Sequence, residues 1–215
     1  MPQVSLQPFR DRVEAGELLG QGLIQYRNRD DVVVLALPRG GVPVAREVAR
    51  ALGVPLDVFV VRKLGVPGHE ELAMGAIASG GVRLVNDEVV HALGIPPTVI
   101  DSVARSEQLE LDRREQLYRG NRPPASLANK AVILVDDGLA TGSTMRAAVM
   151  AVRRQQPARV IVAVPVGATS TCTELAREAD EVVCIRTPDP FVAVGLWYHD
   201  FRPTSDREVR SLLET

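Results

Sequence analysis

The sequence predicts an α/β protein built on a doubly wound parallel sheet. Three observations support this: short apolar runs rich in β-branched residues recur along the chain, segments with helical periodicity separate them, and glycine or hydroxyl residues mark the turns. Such alternation implies right-handed crossovers and places ligands at the carboxyl ends of the strands. A small hood or hairpin insertion and an aromatic C-terminal segment complete the predicted fold.

Composition limits the classes of protein that this chain can be. Its 215 residues are 46% hydrophobic and 24% charged, which predicts one folded domain over residues 1–215. The net charge of −2 gives no broad basic field, so nucleic acid is not expected as a partner. Two cysteines without metal-ligand spacing fit a reducing cytoplasm. The longest apolar runs are too short to span a bilayer, so no membrane association is expected.

The first part of the chain contains one strand–helix–strand unit. Residues 32–37 form a continuous apolar run, which is typical of a strand buried on both faces of a parallel sheet. A turn leads into a helical pattern that ends at Gly53, and a second strand follows. An amphipathic helix precedes the unit, with Phe9, Val13, Leu19 and Leu23 on its apolar face. The predicted ranges are a helix at 9–26, strands at 32–37 and 56–61, and a helix at 42–52.

The middle of the chain is less regular. Glycines and prolines interrupt short apolar segments in residues 64–90, which is typical of a mobile loop and a small hairpin inserted on the sheet. A long helix is predicted over residues 97–119, where Glu110 precedes Arg114 by four positions. Because acidic side chains alternate with the arginines, a solvated helix is favoured over a phosphate-binding face.

The last part of the chain predicts three more strands of the parallel sheet. Each is a short apolar run, and helical segments follow the first two. Ser205 and Glu208 form a capping-box pattern that opens a terminal helix. The predicted ranges are strands at 131–135, 159–166 and 181–185, and helices at 145–155, at 173–179 after capping residues 169–171, and from Ser205 to residue 213.

The chemistry is concentrated after the strand at residues 131–135. That buried strand presents Asp136 and Asp137, and a turn of small and hydroxyl residues, Gly-Leu-Ala-Thr-Gly-Ser-Thr, then leads directly into a helix. Backbone N–H groups, hydroxyls and a helix N-terminus can bind one phosphate there. Because two carboxylates would repel a bare phosphate, the pattern favours a sugar phosphate whose hydroxyls, or whose metal ion, face the acids.

This segment resembles the phosphoribosyl pyrophosphate (PRPP) motif of type I phosphoribosyltransferases, and its amino-acid sequence is closest to that of adenine phosphoribosyltransferases. The resemblance extends to the strand order of residues 31–166. It implies that Asp136 and Asp137 hold the ribose hydroxyls and that Mg²⁺ is held mainly by PRPP oxygens near these acids, without a dedicated metal site. It also implies a binding turn for the 5-phosphate of PRPP, formed by Ala140, Thr141, Gly142, Ser143 and Thr144.

The loop after the first strand forms a second part of the predicted site. Arg39, Gly40 and Gly41 stand where the family has its pyrophosphate-binding loop. Glycine allows close approach of backbone N–H groups, and arginine suits forked phosphate contacts. The resemblance also implies a cis peptide bond between Pro38 and Arg39. Without the resemblance, an ordinary Gly-Gly turn with a solvent-exposed arginine would be favoured.

A pair of cations forms the third part. Arg62 and Lys63, at the end of the second predicted strand, resemble the basic pair that precedes a flexible loop closing over pyrophosphate. Two adjacent cations at a strand end repel each other unless solvent or an anion faces them. The sequence therefore predicts three loops that meet at one edge of the sheet.

The sequence gives fewer indications of where the accepting base would bind. Enzymes of this family acting on 6-oxopurines carry a further carboxylate where Ala140 stands, so hypoxanthine and guanine are disfavoured. Phe191, Trp197 and Tyr198 lie in residues 186–215, where the family has a variable hood, and could stack on a base. A small core beneath the terminal helix, or a dimer interface, explains these aromatics equally well.

The resemblance implies transfer of the 5-phosphoribosyl group of PRPP to a heterocyclic base in nucleotide metabolism. Asp136, Asp137, Arg39 and Lys63 are the expected catalytic residues, and Arg62 would help to neutralise pyrophosphate. A homodimer is a common assembly in the family. Two alternatives stay open: a non-catalytic, PRPP-binding regulatory module, and a hydrolase of PRPP or another phosphosugar.

Overall fold

The computed structural model describes residues 7–214 and contains two sheets. The larger is a five-stranded parallel sheet and the smaller a three-stranded antiparallel sheet. The elements in chain order are α1 (Arg12–Gly22), β1 (Val32–Ala36), α2 (Gly41–Leu52), β2 (Leu56–Val58), β3 (Val61–Val66), β4 (His69–Ala78), β5 (Val82–Val85), α3 (Asp87–Leu93), α4 (Pro97–Arg119), β6 (Ala131–Val135), α5 (Ser143–Arg153), β7 (Arg159–Val166), α6 (Thr169–Leu175), β8 (Glu181–Arg186) and α7 (Asp206–Leu213), with short 3₁₀ helices at Ile24–Tyr26 and Val194–Trp197.

The parallel sheet confirms the predicted fold class. Its strand order is β2-β1-β6-β7-β8, and β1 pairs with β6 from Val32/Ala131 to Ala36/Val135. Both strands are fully buried, as expected for a sheet covered on both faces. The chain extends the sheet from β1 in one direction and then continues from β6 in the other. The strand order therefore reverses between β1 and β6, which is where open α/β sheets bind ligands.

Helices cover both faces of this sheet. Alternate residues of each strand point to opposite faces, so Val34 and Ile133 join one apolar cluster while Leu35 and Leu134 join another. The first cluster is completed by α1, α2, α4 and α7, and the second by α5 and α6. Within residues 7–214, no helix combines the length and the apolar character that crossing a membrane requires.

The N-terminal helix is shorter than the sequence predicts. It begins at Arg12, because Asp11 caps it by accepting a hydrogen bond from the Glu14 N–H at 2.9 Å. Phe9 lies outside the helix and forms a bridge with Tyr198. The prediction that Val13 lies on the apolar face is wrong, since its side chain is exposed whereas Leu19 is buried.

The segment predicted as a loop with a small hairpin is more regular than expected. The second parallel strand ends at Val58, and the apolar run continues through Phe59 and Val60 into the antiparallel sheet β3-β4-β5. Because the run is apolar throughout, the sequence showed no boundary between the two sheets. The helix α3, which was not predicted, follows β5 and is capped by Asn86.

The last part of the chain agrees with the predictions apart from element ends. Strands β6 and β7 and helix α4 have the predicted bounds, and Ser205 caps α7 through the Glu208 N–H at 3.2 Å. Helix α5 begins two residues earlier than predicted. Helix α6 was predicted at residues 173–179 but spans Thr169–Leu175, because the hydroxyl residues predicted as caps lie inside it.

Candidate functional site

The loops after β1 and β6 meet at the carboxyl edge of the sheet. The Leu37 N–H donates to the Val135 carbonyl at 2.9 Å, which ties the two strand ends together. A Cβ atom on Gly40 would overlap the Asp137 carboxylate, and one on Gly41 would lie 2.7 Å from the Val135 carbonyl oxygen. Only glycine fits at these two positions. The structure thus brings the predicted glycine loop and the acidic pair into direct contact.

The two acids of the pair lie in a desolvated environment. The Asp137 N–H donates to Asp136 Oδ1 at 2.8 Å, so the pair is tightly packed. Burial, together with the neighbouring Asp137 charge, raises the pKa of Asp136 well above its ordinary value. Burial also raises the pKa of Asp137, although an arginine opposes that effect. This edge therefore holds more negative charge than its surroundings stabilise, which favours hydroxyl donors or a cation as ligands.

That arginine is Arg12, which the sequence analysis did not identify. Its Nε and Nη2 lie 2.9 and 2.8 Å from the same atom, Asp137 Oδ2. Its Nη1 donates to the Arg202 carbonyl at 2.9 Å, and its guanidinium carbon lies 4.0 Å from the centre of the Phe201 ring. Arg12 stands 125 positions from Asp137 in the chain, and the helical pattern around it carries no sign of this contact.

Tyr198 supports the acidic pair from the C-terminal segment. Its hydroxyl donates to the Asp137 carbonyl at 2.6 Å, and burial raises its pKa. Its ring stacks on Phe201 at 5.0 Å and contacts Phe9 at 5.5 Å, so Tyr198 is already covered. Phe191 and Trp197 pack partly buried against the same cluster. These aromatics form a small core, but it packs against Phe9 and Ala15 and not beneath the terminal helix, whose Val209 and Leu213 lie in the first apolar cluster. Contact of Phe191 or Trp197 with a base stays a prediction.

The turn between β6 and α5 has the form of a phosphate site. Gly142 has a positive φ of 69°, which suits glycine, and the eleven-residue helix α5 starts directly after it. The first N–H groups of a helix have no partner within the helix, so those of α5 are available to a ligand. The hydroxyls of Thr141 and Ser143 lie 3.3 Å apart, and Thr144 is exposed beside them.

A neighbouring helix holds this turn in place. The Thr171 hydroxyl, on α6, donates to the Ala140 carbonyl at 2.7 Å, and a Cβ on Gly142 would lie 2.6 Å from Thr171 Cγ2. Leu139 also forms a bridge with Gly167 at the end of β7. The turn is therefore fixed by β7 and α6 and not only by its own sequence.

Arg39 lies at the outer side of the glycine loop. The peptide bond between Pro38 and Arg39 is cis, which confirms that prediction. Arg39 is half exposed, and its Nη1 lies 3.8 Å from Asp206 Oδ1 on α7. The Tyr118 hydroxyl donates to the same oxygen at 2.6 Å; burial and then this carboxylate raise the pKa of Tyr118 to about 12.

Arg62 and Lys63 do not form the side-by-side pair at a strand end that was predicted. Both lie within β3, where successive side chains point to opposite faces. Arg62 forms an ion pair with Glu107 of α4 at 2.5 Å. Lys63 instead lines a cavity of about 470 Å³ together with Ser143 and Arg146. Of the two cations, Lys63 is the one that shares a cavity with the phosphate turn.

The oxygen atoms at the strand edge are the ones available to a metal ion. In the chain from residue 7 to residue 214, no group of three or more histidine, cysteine, aspartate or glutamate side chains is arranged to hold a metal ion. The oxygen donors at the strand edge are those of Asp136 and Asp137, and hard cations such as Mg²⁺ prefer oxygen ligands. A Mg²⁺ ion carried by a phosphorylated substrate fits these donors.

Comparison with known proteins identifies the family. A family model described as the phosphoribosyl transferase domain matches residues 11–75 and 68–201. The chain belongs to this family. The matched residues include Arg12, the glycine loop, the acidic pair and the phosphate turn. The type I fold predicted from the sequence is thereby confirmed.

Individual relatives agree with this placement. A protein of Mycobacterium tuberculosis (strain CDC 1551 / Oshkosh), which carries only a provisional phosphoribosyl transferase name, is 48% identical over 206 residues, covering 96% of this chain and 46% of that protein. The chain thus spans about half the length of the curated relatives it matches. The crystal structure of TT1426 from Thermus thermophilus is similar with a TM-score of 0.86 and 42% identity, covering 96% of this chain and 98% of that one. The AQ2163 protein of Aquifex aeolicus shares the fold with a TM-score of 0.52 and 11% identity, over 94% of this chain and 85% of its own.

Proposed function

We propose that this phosphoribosyl transferase domain transfers the 5-phosphoribosyl group of PRPP to a nitrogen of a heterocyclic base and releases pyrophosphate. The observation that carries the proposal is the contact between the glycine loop and the acidic pair at the β1/β6 edge, directly beside the phosphate turn. A sugar that carries a phosphate at one end and a pyrophosphate at the other matches this arrangement, in which two anion-binding loops flank a pair of acids.

The donor is bound through three chemically distinct parts of this edge. The turn from Ala140 to Thr144 binds the 5-phosphate through the N–H groups at the start of α5 and the exposed hydroxyls. Asp136 and Asp137 accept hydrogen bonds from the ribose hydroxyls. The N–H groups of Gly40 and Gly41 approach the pyrophosphate, because the absence of side chains leaves room for it.

The reaction breaks the bond between the anomeric carbon and pyrophosphate and forms a bond from that carbon to the base nitrogen. Positive charge develops on the sugar ring, as in glycoside hydrolysis, and negative charge grows on the leaving group. Arg39, beside the glycine loop, and Lys63, on β3, stabilise the leaving group. When bound with PRPP, Mg²⁺ neutralises part of the pyrophosphate charge. Arg62 helps to neutralise the pyrophosphate only after its ion pair with Glu107 is broken.

The acceptor is a planar nitrogenous base. Ala140 offers no carboxylate beside the base, so 6-oxopurines are disfavoured. Phe191 and Trp197, partly buried at the C-terminal segment, are the aromatic side chains with surface left for stacking, since the ring of Tyr198 is covered.

Base-dependent release of pyrophosphate tests this function. Purified protein is incubated with PRPP, MgCl₂ and separately adenine, hypoxanthine, guanine, xanthine, orotate or uracil, beside a reaction without base. We expect release with one base other than hypoxanthine or guanine, and formation of the matching nucleotide.

Two other outcomes would contradict the proposal. Release at the same rate without any base would indicate a hydrolase, with water as the acceptor. PRPP binding without release for any base would indicate a regulatory module that keeps the donor site alone.

A further inference from the structure

Arg12 joins three parts of the chain that are far apart in sequence. It lies in the first turn of α1, binds Asp137 after β6, and contacts Phe201 and Arg202 of the C-terminal segment. Its side chain is 11% exposed and that of Asp137 is 16% exposed. A buried ion pair of this kind adds little net stability, because removing two charges from water offsets their attraction.

Most of the N–H donors of Arg12 are already used within the protein. Guanidinium has five N–H donors. Two nitrogens, Nε and Nη2, bind Asp137 Oδ2, and Nη1 binds the Arg202 carbonyl. One face of the group is covered by the Phe201 ring. These contacts direct the guanidinium at Asp137.

The Asp137 carboxylate would be poorly fixed without this contact. Tyr198 holds the backbone carbonyl of Asp137, not its side chain. Gly40 lies against the carboxylate but has no side chain that could donate a hydrogen bond to it. Asp136 accepts from the Asp137 N–H and gives no hydrogen bond to the Asp137 carboxylate. Arg12 is the cation that opposes the cost of burying the Asp137 charge.

We propose that Arg12 is a positioning residue for the donor site, which fixes the Asp137 carboxylate in the orientation that receives the ribose hydroxyls. This inference rests on the proposed function and extends it to α1, outside the motif that suggested the family. Because α1 and the C-terminal segment both hold Arg12, the donor site depends on residues from both ends of the chain.

A double-mutant cycle tests the proposal. Dissociation constants for PRPP in MgCl₂ are measured by calorimetry for wild type, Arg12→Met, Asp137→Asn and the double variant. Loss of a hydrogen bond to a charged group predicts weaker binding for Arg12→Met by about tenfold or more. If Arg12 acts through Asp137, the double variant binds no more weakly than Asp137→Asn.

Two further variants separate positioning from a general loss of structure. Arg12→Lys keeps the charge but has one nitrogen, so it recovers part of the affinity. Arg50→Met is the matched control, because it removes another arginine that links carboxylates of α1 and α2, and we expect an unchanged dissociation constant. Thermal unfolding establishes that each variant is folded. Arg12→Gln, which keeps an amide NH₂ as donor, replaces Arg12→Met if that variant is not folded.

The outcomes distinguish this inference from the proposed function. A wild-type protein that does not bind Mg-PRPP overturns both. Wild-type binding with an unchanged Arg12→Met constant overturns the role of Arg12 alone. So does a double variant in which the two losses multiply, because Arg12 then acts independently of Asp137.

Discussion

Single atoms decide whether the two loops of the donor site fit together. Gly40 has an ordinary right-handed helical conformation, so alanine is excluded there by space and not by backbone angles. The space is taken by the Asp137 carboxylate, which Arg12 holds in place. The identity of residue 40 and the position of residue 137 are therefore linked, although almost a hundred residues separate them.

Gly40→Ala tests this close fit. The added methyl group would displace the Asp137 carboxylate or the loop, and we expect a destabilisation of about 1–3 kcal/mol with weakened Mg-PRPP binding. Gly22→Ala is the control, because its Cβ would meet only side-chain ends, Ile185 Cδ1 at 3.2 Å and Val183 Cγ1 at 3.5 Å. Urea unfolding and calorimetry measure both effects. A Gly40→Ala variant that binds like wild type would contradict the proposed contact between loop and acid.

The raised pKa of Asp136 predicts how stability varies with pH. The folded protein keeps the proton on Asp136 at pH values where the unfolded chain, with an ordinary pKa near 3.8, has lost it. Stability therefore falls as the pH rises from the unfolded pKa through the folded one. The Asp136→Asn variant has no carboxyl group at this position to ionise, so it does not lose stability in this way as the pH rises. At pH 7 we expect the variant to be more stable than wild type.

Urea unfolding at several pH values from 3.5 to 7 measures this difference. The advantage of Asp136→Asn should shrink as the pH falls and disappear in the acidic range, where the wild-type carboxyl is protonated in both states. A variant that is less stable than wild type at pH 7, with the gap growing as the pH rises, would mean that the Asp136 charge is stabilised by the fold.

At the scale of elements, helix α6 supports the phosphate turn from outside it. Thr171 bonds the Ala140 carbonyl and packs against Gly142. Thr171→Val keeps the shape and removes the hydrogen bond, so we expect a loss of about 1 kcal/mol in stability and weaker binding of PRPP. Thr173→Val is the control: its hydroxyl bonds the Thr169 carbonyl within the same helix, and it is exposed.

Calorimetry with Mg-PRPP and urea unfolding compare the two threonine variants. We expect the binding loss in Thr171→Val only. Equal losses in both variants would show that α6 acts through its general stability and not through the bond to Ala140.

The sequence predicted those elements whose signal is local. Buried strands such as β6 and β7 are continuous apolar runs, and the acidic pair and glycine loop stand at the ends of such strands. Where one apolar run continues from the parallel sheet into the antiparallel sheet, as between Val58 and Val61, the boundary between the two strands was not predicted. Where hydroxyl residues suit both a cap and a helix interior, as at the start of α6, the helix was placed too late.

Contacts between distant parts of the chain account for the rest of the site. Nothing near Arg12 in sequence marks it as the partner of Asp137, and nothing near Tyr198 indicates that its hydroxyl binds the Asp137 carbonyl. The alternation of side chains along β3 separated Arg62 from Lys63, which sequence adjacency had grouped. Such residues are identified only when the topology fixes which elements lie together.

At the scale of the whole molecule, the strand order creates the site. The reversal between β1 and β6 brings two loops to one edge, one with glycines and a cation and the other with acids and a phosphate turn. The end of β7, helix α6, helix α1 and the C-terminal segment then hold these loops in position. The central claim is that this edge binds the pyrophosphate-bearing sugar PRPP.

Titration of Mg-PRPP into wild type and into the double variant Asp136→Asn, Asp137→Asn tests this claim most directly. The matched control is Asp30→Asn, Asp31→Asn, which changes another adjacent pair of aspartates, exposed at the opposite end of β1. We predict saturable binding by wild type and by the control, and a loss of at least about tenfold in affinity for the variant at the β6 edge. Equal affinity in all three proteins, or no binding by wild type, would contradict the account.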